Sequence, residues 1–131
     1  MIDTTQYLGL PYDINNETGY NCWGLYRLVK KQEQGQDVAM FRAINSTVRG
    51  ISDTFNAEIK LGNHGHTQVQ EPQQFDLVLL KRVRLNQTIY HCGVYVDGMI
   101  LHANGNANSG QVWHEPLANF DRWVMEFWRY E

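Results

Sequence analysis

"TIYHCGVYVDGMILHA", Thr88 to Ala103, decides how this chain is read. Two β-rich runs, Thr88 to Val96 and Met99 to Ala103, flank Asp97-Gly98, a dipeptide that tolerates the left-handed backbone of a two-residue turn and is a strong hairpin signal. Such a hairpin sets opposite one another positions whose numbers sum to about 195, so His91 lies near position 104, His102 near position 93, and the two histidines are diagonal neighbours. Because 91 and 102 differ in parity, a bulge or a one-residue adjustment is expected in this hairpin to bring both to one face.

Working outward, "FDLVLLKRV" (Phe75 to Val83) reads as a strand before the hairpin, giving three antiparallel strands in a row. The basic cluster "KRVR", Lys81 to Arg84, reads as the solvated end of that strand at a hairpin. Beyond Ala103, "NGNANSGQ" is a loop, "VWHEP" a further strand, "LANFDRW" a short helix or turn, and "WVMEFWRYE" alternates as a closing strand. Upstream, "LGNHGHTQVQEPQQ", Leu61 to Gln74, is a long polar connection.

The N-terminal half has helical periodicity. From Cys22 to about Gln34, Cys22, Leu25, Tyr26, Leu28 and Val29 recur on one face, and Gly35 ends the run. Asp3 or Thr4 can cap a short first helix carrying Ile2, Tyr7 and Leu8. Val48, Ile51, Phe55 and Ile59 suggest another helix, capped by Asn45 or Ser46. Helices first and a meander afterwards predict an α+β domain, with N-terminal helices packed on an antiparallel sheet. No repeat or linker interrupts the chain, so residues 1–131 are read as one domain, a size that buries a core without staples.

Composition narrows the function classes. A net charge of −3 argues against a nucleic-acid binder, which would show a basic face. No apolar run approaches the roughly 20 residues of a membrane span. The start "MIDTTQYLGLPYD" lacks the pattern of a secretory signal, which predicts synthesis in the cytoplasm and delivery by another route.

Of two cysteines, Cys22 falls in the first turn of its helix, where free amides favour an anion. A sulfur nucleophile must be a thiolate, and that dipole lowers a thiol pKa by only about one unit, so a reactive Cys22 needs a basic partner. The candidates are His64, His66, His91, His102 and His114. If His91 faces Cys22, alternation along the strand turns Cys92 away, so a Cys22–Cys92 disulfide and a Cys22/His91 dyad exclude one another. Alternatives stand beside each reading: Cys22 as a small core hydrophobe, His91 as a hydrogen-bonded core residue, and His64 with His66 as a metal-ligating pair or part of a solvated loop. His114 is structural, lines the cleft, or replaces His102.

"YLGLPYDINNETGYNCWGLYRLV", Tyr7 to Val29, resembles the opening motif of the NlpC/P60 cysteine peptidases, especially those of bacteriophage tail assembly. "HCGVYVDGMILHA", His91 to Ala103, is similar to their second motif, "EPQQFDLVLL" to their Pro-x-x-Gly-Asp strand, and "FWRYE" to the closing strand of the tail proteins. The resemblance implies a papain-like fold with Cys22 as nucleophile, His91 as general base and His102 orienting His91. It also implies that the hydroxyl of Tyr12 binds the oxyanion together with the Cys22 amide; the alternative for Tyr12 is an aromatic packed beside the first helix. The implied reaction is hydrolysis of a D-glutamyl to diamino-acid amide in peptidoglycan stem peptides through a thioester, without cofactor or metal. The implied partners are that substrate and other phage tail-tip proteins, and the implied destination is a virion tail or the host cell wall. An acyltransferase or amidase on the same scaffold, or an inactive tail-tip subunit, are the other functions considered. Three positions depart from or vary the pattern: Phe75 replaces a glycine, so a differently built turn is expected there; Cys92 replaces an aliphatic residue; and Trp23 follows the nucleophile, as in tail-type members.

Overall fold

The computed structural model describes residues 2–13, 17, 19–39, 65–104 and 110–130. Among these residues one α-helix, α1 (Cys22–Gln34), precedes six strands: β1 (His66–Val69), β2 (Leu77–Arg84), β3 (Gln87–Val96), β4 (Met99–Asn104), β5 (Gln111–Pro116) and β6 (Val124–Tyr130). A single 3-10 turn, Leu117–Phe120, joins β5 to β6. The strands form one sheet in the order β1-β6-β2-β3-β4-β5, and every neighbouring pair is antiparallel.

This architecture overturns the expected α+β, papain-like arrangement with N-terminal helices. Among the described residues the sheet dominates and a single α-helix packs on it. The segment expected to form a first helix makes one turn only, with the amides of Tyr7 and Leu8 both donating to the Thr4 carbonyl. Gly9, at φ 82, and Pro11 stop it before a second turn can form, and one turn fixes several dihedrals for a single hydrogen bond. The helix expected around Val48 to Ile59 lies outside the described residues.

α1 forms for local reasons that remain visible. The Asn21 side chain accepts from the Gly24 amide at 2.8 Å, capping its start. At its end Gly35 takes φ 65, and the amides of Gly35 and Gln36 return to the carbonyls of Lys31 and Lys30. Its buried face, including Trp23, Leu25, Tyr26 and Val29, packs on Leu77, Leu79, Cys92, Val94 and Leu101. On the other side of the sheet, Val78, Leu80 and Ile100 pack with Phe120 and the flanking Trp123, Met125 and Phe127. Covered on both sides, β2 reads as the continuous apolar run Leu77 to Leu80 rather than an alternating one.

The Asp97-Gly98 turn is as expected: both residues have positive φ, 53° and 78°, and Val96 stands opposite Met99. Its register is unshifted through Tyr95↔Ile100 and Val94↔Leu101. The expected bulge is therefore not what unites the histidines. In a register with an odd sum, residues of opposite parity share a face, so His91 and His102 belong together without one. At the far sheet edge the N-terminal segment lies along β5. Gly9 donates to the Val112 carbonyl at 3.1 Å, Val112 to Leu10 at 2.9 Å, and Tyr12 to Gly110 at 3.0 Å. That covers the β5 edge and leads the chain toward α1.

Candidate active site

Cys22 is the first residue of α1, 6% exposed, where the unpaired amides of the helix start face it. Cys92 and His91 are the side chains that act on its sulfur. The Cys92 thiol is the strongest influence holding the Cys22 pKa well below the ordinary thiol range; burial opposes it, and the hydrogen bond and charge of His91 reinforce it. Cys92 moves the other way, raised by burial first and then by Cys22. The two thiols behave as a unit in which Cys22 ionises and Cys92 stays protonated and donates. Both cysteines are free thiols.

This geometry corrects the expectation that Cys92 turns away when His91 faces Cys22. Alternation sends Cys92, with Val94 and Val96, to the helix side of the sheet, and His91 to the other. A target above the sheet would meet only one of the two. Cys22 instead meets β3 at residues 91 and 92, beyond Val94↔Leu101, the last β3–β4 pair, and both successive residues of β3 reach it.

Behind His91 a polar row crosses three strands. His91 Nε2 lies 2.9 Å from His102 Nδ1, the rings meeting nearly edge to face at 82°. His102 Nε2 is hydrogen-bonded to the Glu115 carboxylate. Glu115 Oε1 in turn accepts from Asn119 Nδ2 at 3.2 Å. Phe120 stands edge-on to the His102 ring at 5.3 Å. Burial, followed by the charge of His91, pushes the His102 pKa down to about 4 against the opposing pull of Glu115. His102 is therefore neutral at physiological pH. Gly93 makes this close approach possible, because a Cβ there would meet Ile100 Cγ2 at 2.6 Å, the Leu101 carbonyl oxygen at 2.9 Å and His102 Cβ at 3.1 Å.

Tyr12 is brought near Cys22 by the chain that precedes α1. Its backbone bridges to Tyr20, two residues before Cys22, and Tyr20 donates to the Pro11 carbonyl at 3.0 Å. Gly19 allows that approach, since a Cβ would lie 2.1 Å from the Pro11 oxygen. Tyr12 is half-buried, and the pKa of its hydroxyl is pushed up to about 12 by burial first and then by the negative charges of Cys22 and Asp13. It stays a hydrogen-bond donor at every physiological pH.

All four residues singled out in the sequence, Cys22, His91, His102 and Tyr12, are thus in one neighbourhood. Two members were missed: Cys92, for the reason above, and Glu115, whose signal was an acidic residue inside the strand run "VWHEP". His114 lies on the opposite face from this row, opposite Leu101, and hydrogen-bonds the Val96 carbonyl at 2.9 Å. His66 is buried in β1, with Nε2 2.8 Å from the Tyr26 hydroxyl. His64 lies outside the described residues. No helix among the described residues is long and apolar enough to cross a membrane.

At Phe75, where a differently built turn was expected, the backbone keeps the left-handed conformation a glycine would take, with φ 74. The Phe75 amide donates to the Tyr95 carbonyl at 2.7 Å and the ring packs on the helix-side core, which offsets the cost of that conformation. The next residue, Asp76, is buried and accepts from Arg129 Nε at 3.0 Å and Nη2 at 2.9 Å, tying β2 to β6.

A family model described as NlpC/P60 family matches residues 9–126. No curated protein and no solved structure matches the chain.

Proposed function

The chain belongs to the NlpC/P60 family, and on that premise we propose that it is a cysteine peptidase of bacterial peptidoglycan, cutting the D-glutamyl to diamino-acid amide of the stem peptide. The family's members are generally hydrolases acting on peptidoglycan. The observation that carries the assignment is a polar row behind a buried helix-start thiol: His91, which lowers the Cys22 pKa, has its Nε2 2.9 Å from Nδ1 of a second histidine, His102.

In this reading the Cys22 sulfur gives its proton to His91, and the thiolate attacks the scissile carbonyl. The tetrahedral oxyanion is met by the Tyr12 hydroxyl and the Cys22 amide. A single such donor is worth about 3 kcal/mol of transition-state stabilisation. Collapse of the intermediate breaks the C–N bond, and the leaving amine takes the proton from His91. Water, deprotonated by His91, then hydrolyses the thioester, releasing the new carboxylate and restoring Cys22. Delivery with a phage tail belongs to the same proposal. It rests on Trp23 after the nucleophile and on the "FWRYE" closing strand, which resemble the tail-assembly branch.

Incubation with purified peptidoglycan and with a defined stem peptide tests the proposal. The expected products are a peptide ending in D-glutamate and one with a newly exposed amine on the diamino acid, both absent with Cys22→Ala. An untouched substrate pool in the presence of the unaltered chain contradicts it.

A further inference from the structure

We propose that Glu115 is a positioning residue: by holding a proton on His102 Nε2 it dictates which nitrogen of His91 is left to act on Cys22. The inference rests on the peptidase reading for its purpose, but its geometry stands apart from it. A carboxylate can only accept a hydrogen bond, so the His102 nitrogen bonded to Glu115 must be Nε2–H. A neutral, buried His102 then has its lone pair on Nδ1. The 2.9 Å approach between His102 Nδ1 and His91 Nε2 is satisfied only if His91 donates from Nε2. In neutral His91 the lone pair is therefore on Nδ1, the nitrogen left to take the proton from Cys22. Once it has done so, both His91 nitrogens carry protons, and the new positive charge lies in line with the Glu115 carboxylate through His102.

The row is built to keep this order. His102 stands opposite Trp113, and Glu115 opposite Ile100, so the carboxylate reaches the ring diagonally across β4 and β5 on one face. Asn119 holds the second carboxylate oxygen, and Phe120 blocks the His102 ring from turning. With an amide in place of the carboxylate, Asn119 Nδ2 still claims the side-chain oxygen, which leaves the NH2 to donate to His102 Nε2 and drive the proton to Nδ1. His91 Nε2 would then have to accept, leaving Nδ1–H against the sulfur. That arrangement cannot take a proton from Cys22.

The test is a proton-detected nitrogen-15 correlation spectrum of the histidine rings in the full chain, paired with the alkylation rate of Cys22 by iodoacetamide at mildly acidic pH. In the unaltered chain His102 is expected as the Nε2–H tautomer, and finding it as Nδ1–H overturns the inference with no variant needed. Glu115→Gln is expected to move His102 toward Nδ1–H and to slow Cys22 alkylation about tenfold or more, while a His102→Gln background abolishes that further loss. Glu115→Gln that leaves both tautomer and alkylation rate unchanged also overturns it. A sluggish Cys22 in the unaltered chain would instead sink the peptidase reading, with the tautomer still deciding the role of Glu115.

Discussion

Cys92 touches the reactive sulfur from a position where a strand pattern would hide it. Its hydrogen bond is the first of the causes that hold the Cys22 thiol well below the ordinary range, ahead of the hydrogen bond and charge of His91. Cys92→Ala removes the donor without adding volume. Alkylation of Cys22 near pH 6, followed by peptide mass, is expected to slow about tenfold in that variant, and an unchanged rate would mean that His91 and the helix start suffice. At this scale the sequence was legible where a residue's type states its chemistry, as for Cys22, His91 and Tyr12. It was not legible where reach matters: alternation gives the side of the sheet a residue faces, not what it touches where the β3–β4 ladder stops. Phe75 is a similar case, because its left-handed backbone is set by the hydrogen bond to Tyr95 rather than by its own preference.

Among the elements, the hairpin was read from Asp97-Gly98 with its register intact, while the bulge was inferred from a parity rule that an odd-sum register does not obey. What the hairpin needs instead is the absence of a side chain at Gly93. Gly93→Ala is expected to push His102 away from His91, so that their hydrogen bond disappears from the ring spectrum. The same variant is expected to destabilise the fold by about 1–3 kcal/mol, measured by urea unfolding. The clasp between β2 and β6 makes a second prediction. Removing Arg129 leaves the buried Asp76 carboxylate without its two guanidinium donors, and Arg129→Ala is expected to cost about 3 kcal/mol by the same measurement. The β4–β5 register brings Glu115 to His102, and no local signal in the sequence specifies it.

For the whole molecule, the run of strands from Phe75 to Tyr130 was legible because turn residues punctuate it. The balance of helix and sheet was not. Amphipathic spacing near the N-terminus suggested helices, but Gly9 and Pro11 hold the first of these to one turn. The buried polar row also links stability to pH. His102 has a folded pKa of about 4 against an ordinary 6.5, with burial as the main cause. Above the ordinary value the residue is neutral in both states and imposes no penalty. As pH falls from 6.5 toward 4, the unfolded chain takes up a proton that the folded one refuses, so stability is lost across that window, by about 3 kcal/mol at most. Urea unfolding from neutral pH downward is expected to show this loss beginning before the carboxylates titrate, and His102→Gln is expected to flatten that early part.

The proposed chemistry depends on Cys22 being ionised through His91. Ultraviolet titration of the thiolate in the unaltered chain and in His91→Ala measures this directly. The predicted result is a thiolate that forms well below the usual thiol pKa of about 8.5, with His91→Ala moving the transition upward. A Cys22 that titrates as an ordinary thiol, or one whose titration is the same with and without the His91 imidazole, would contradict it.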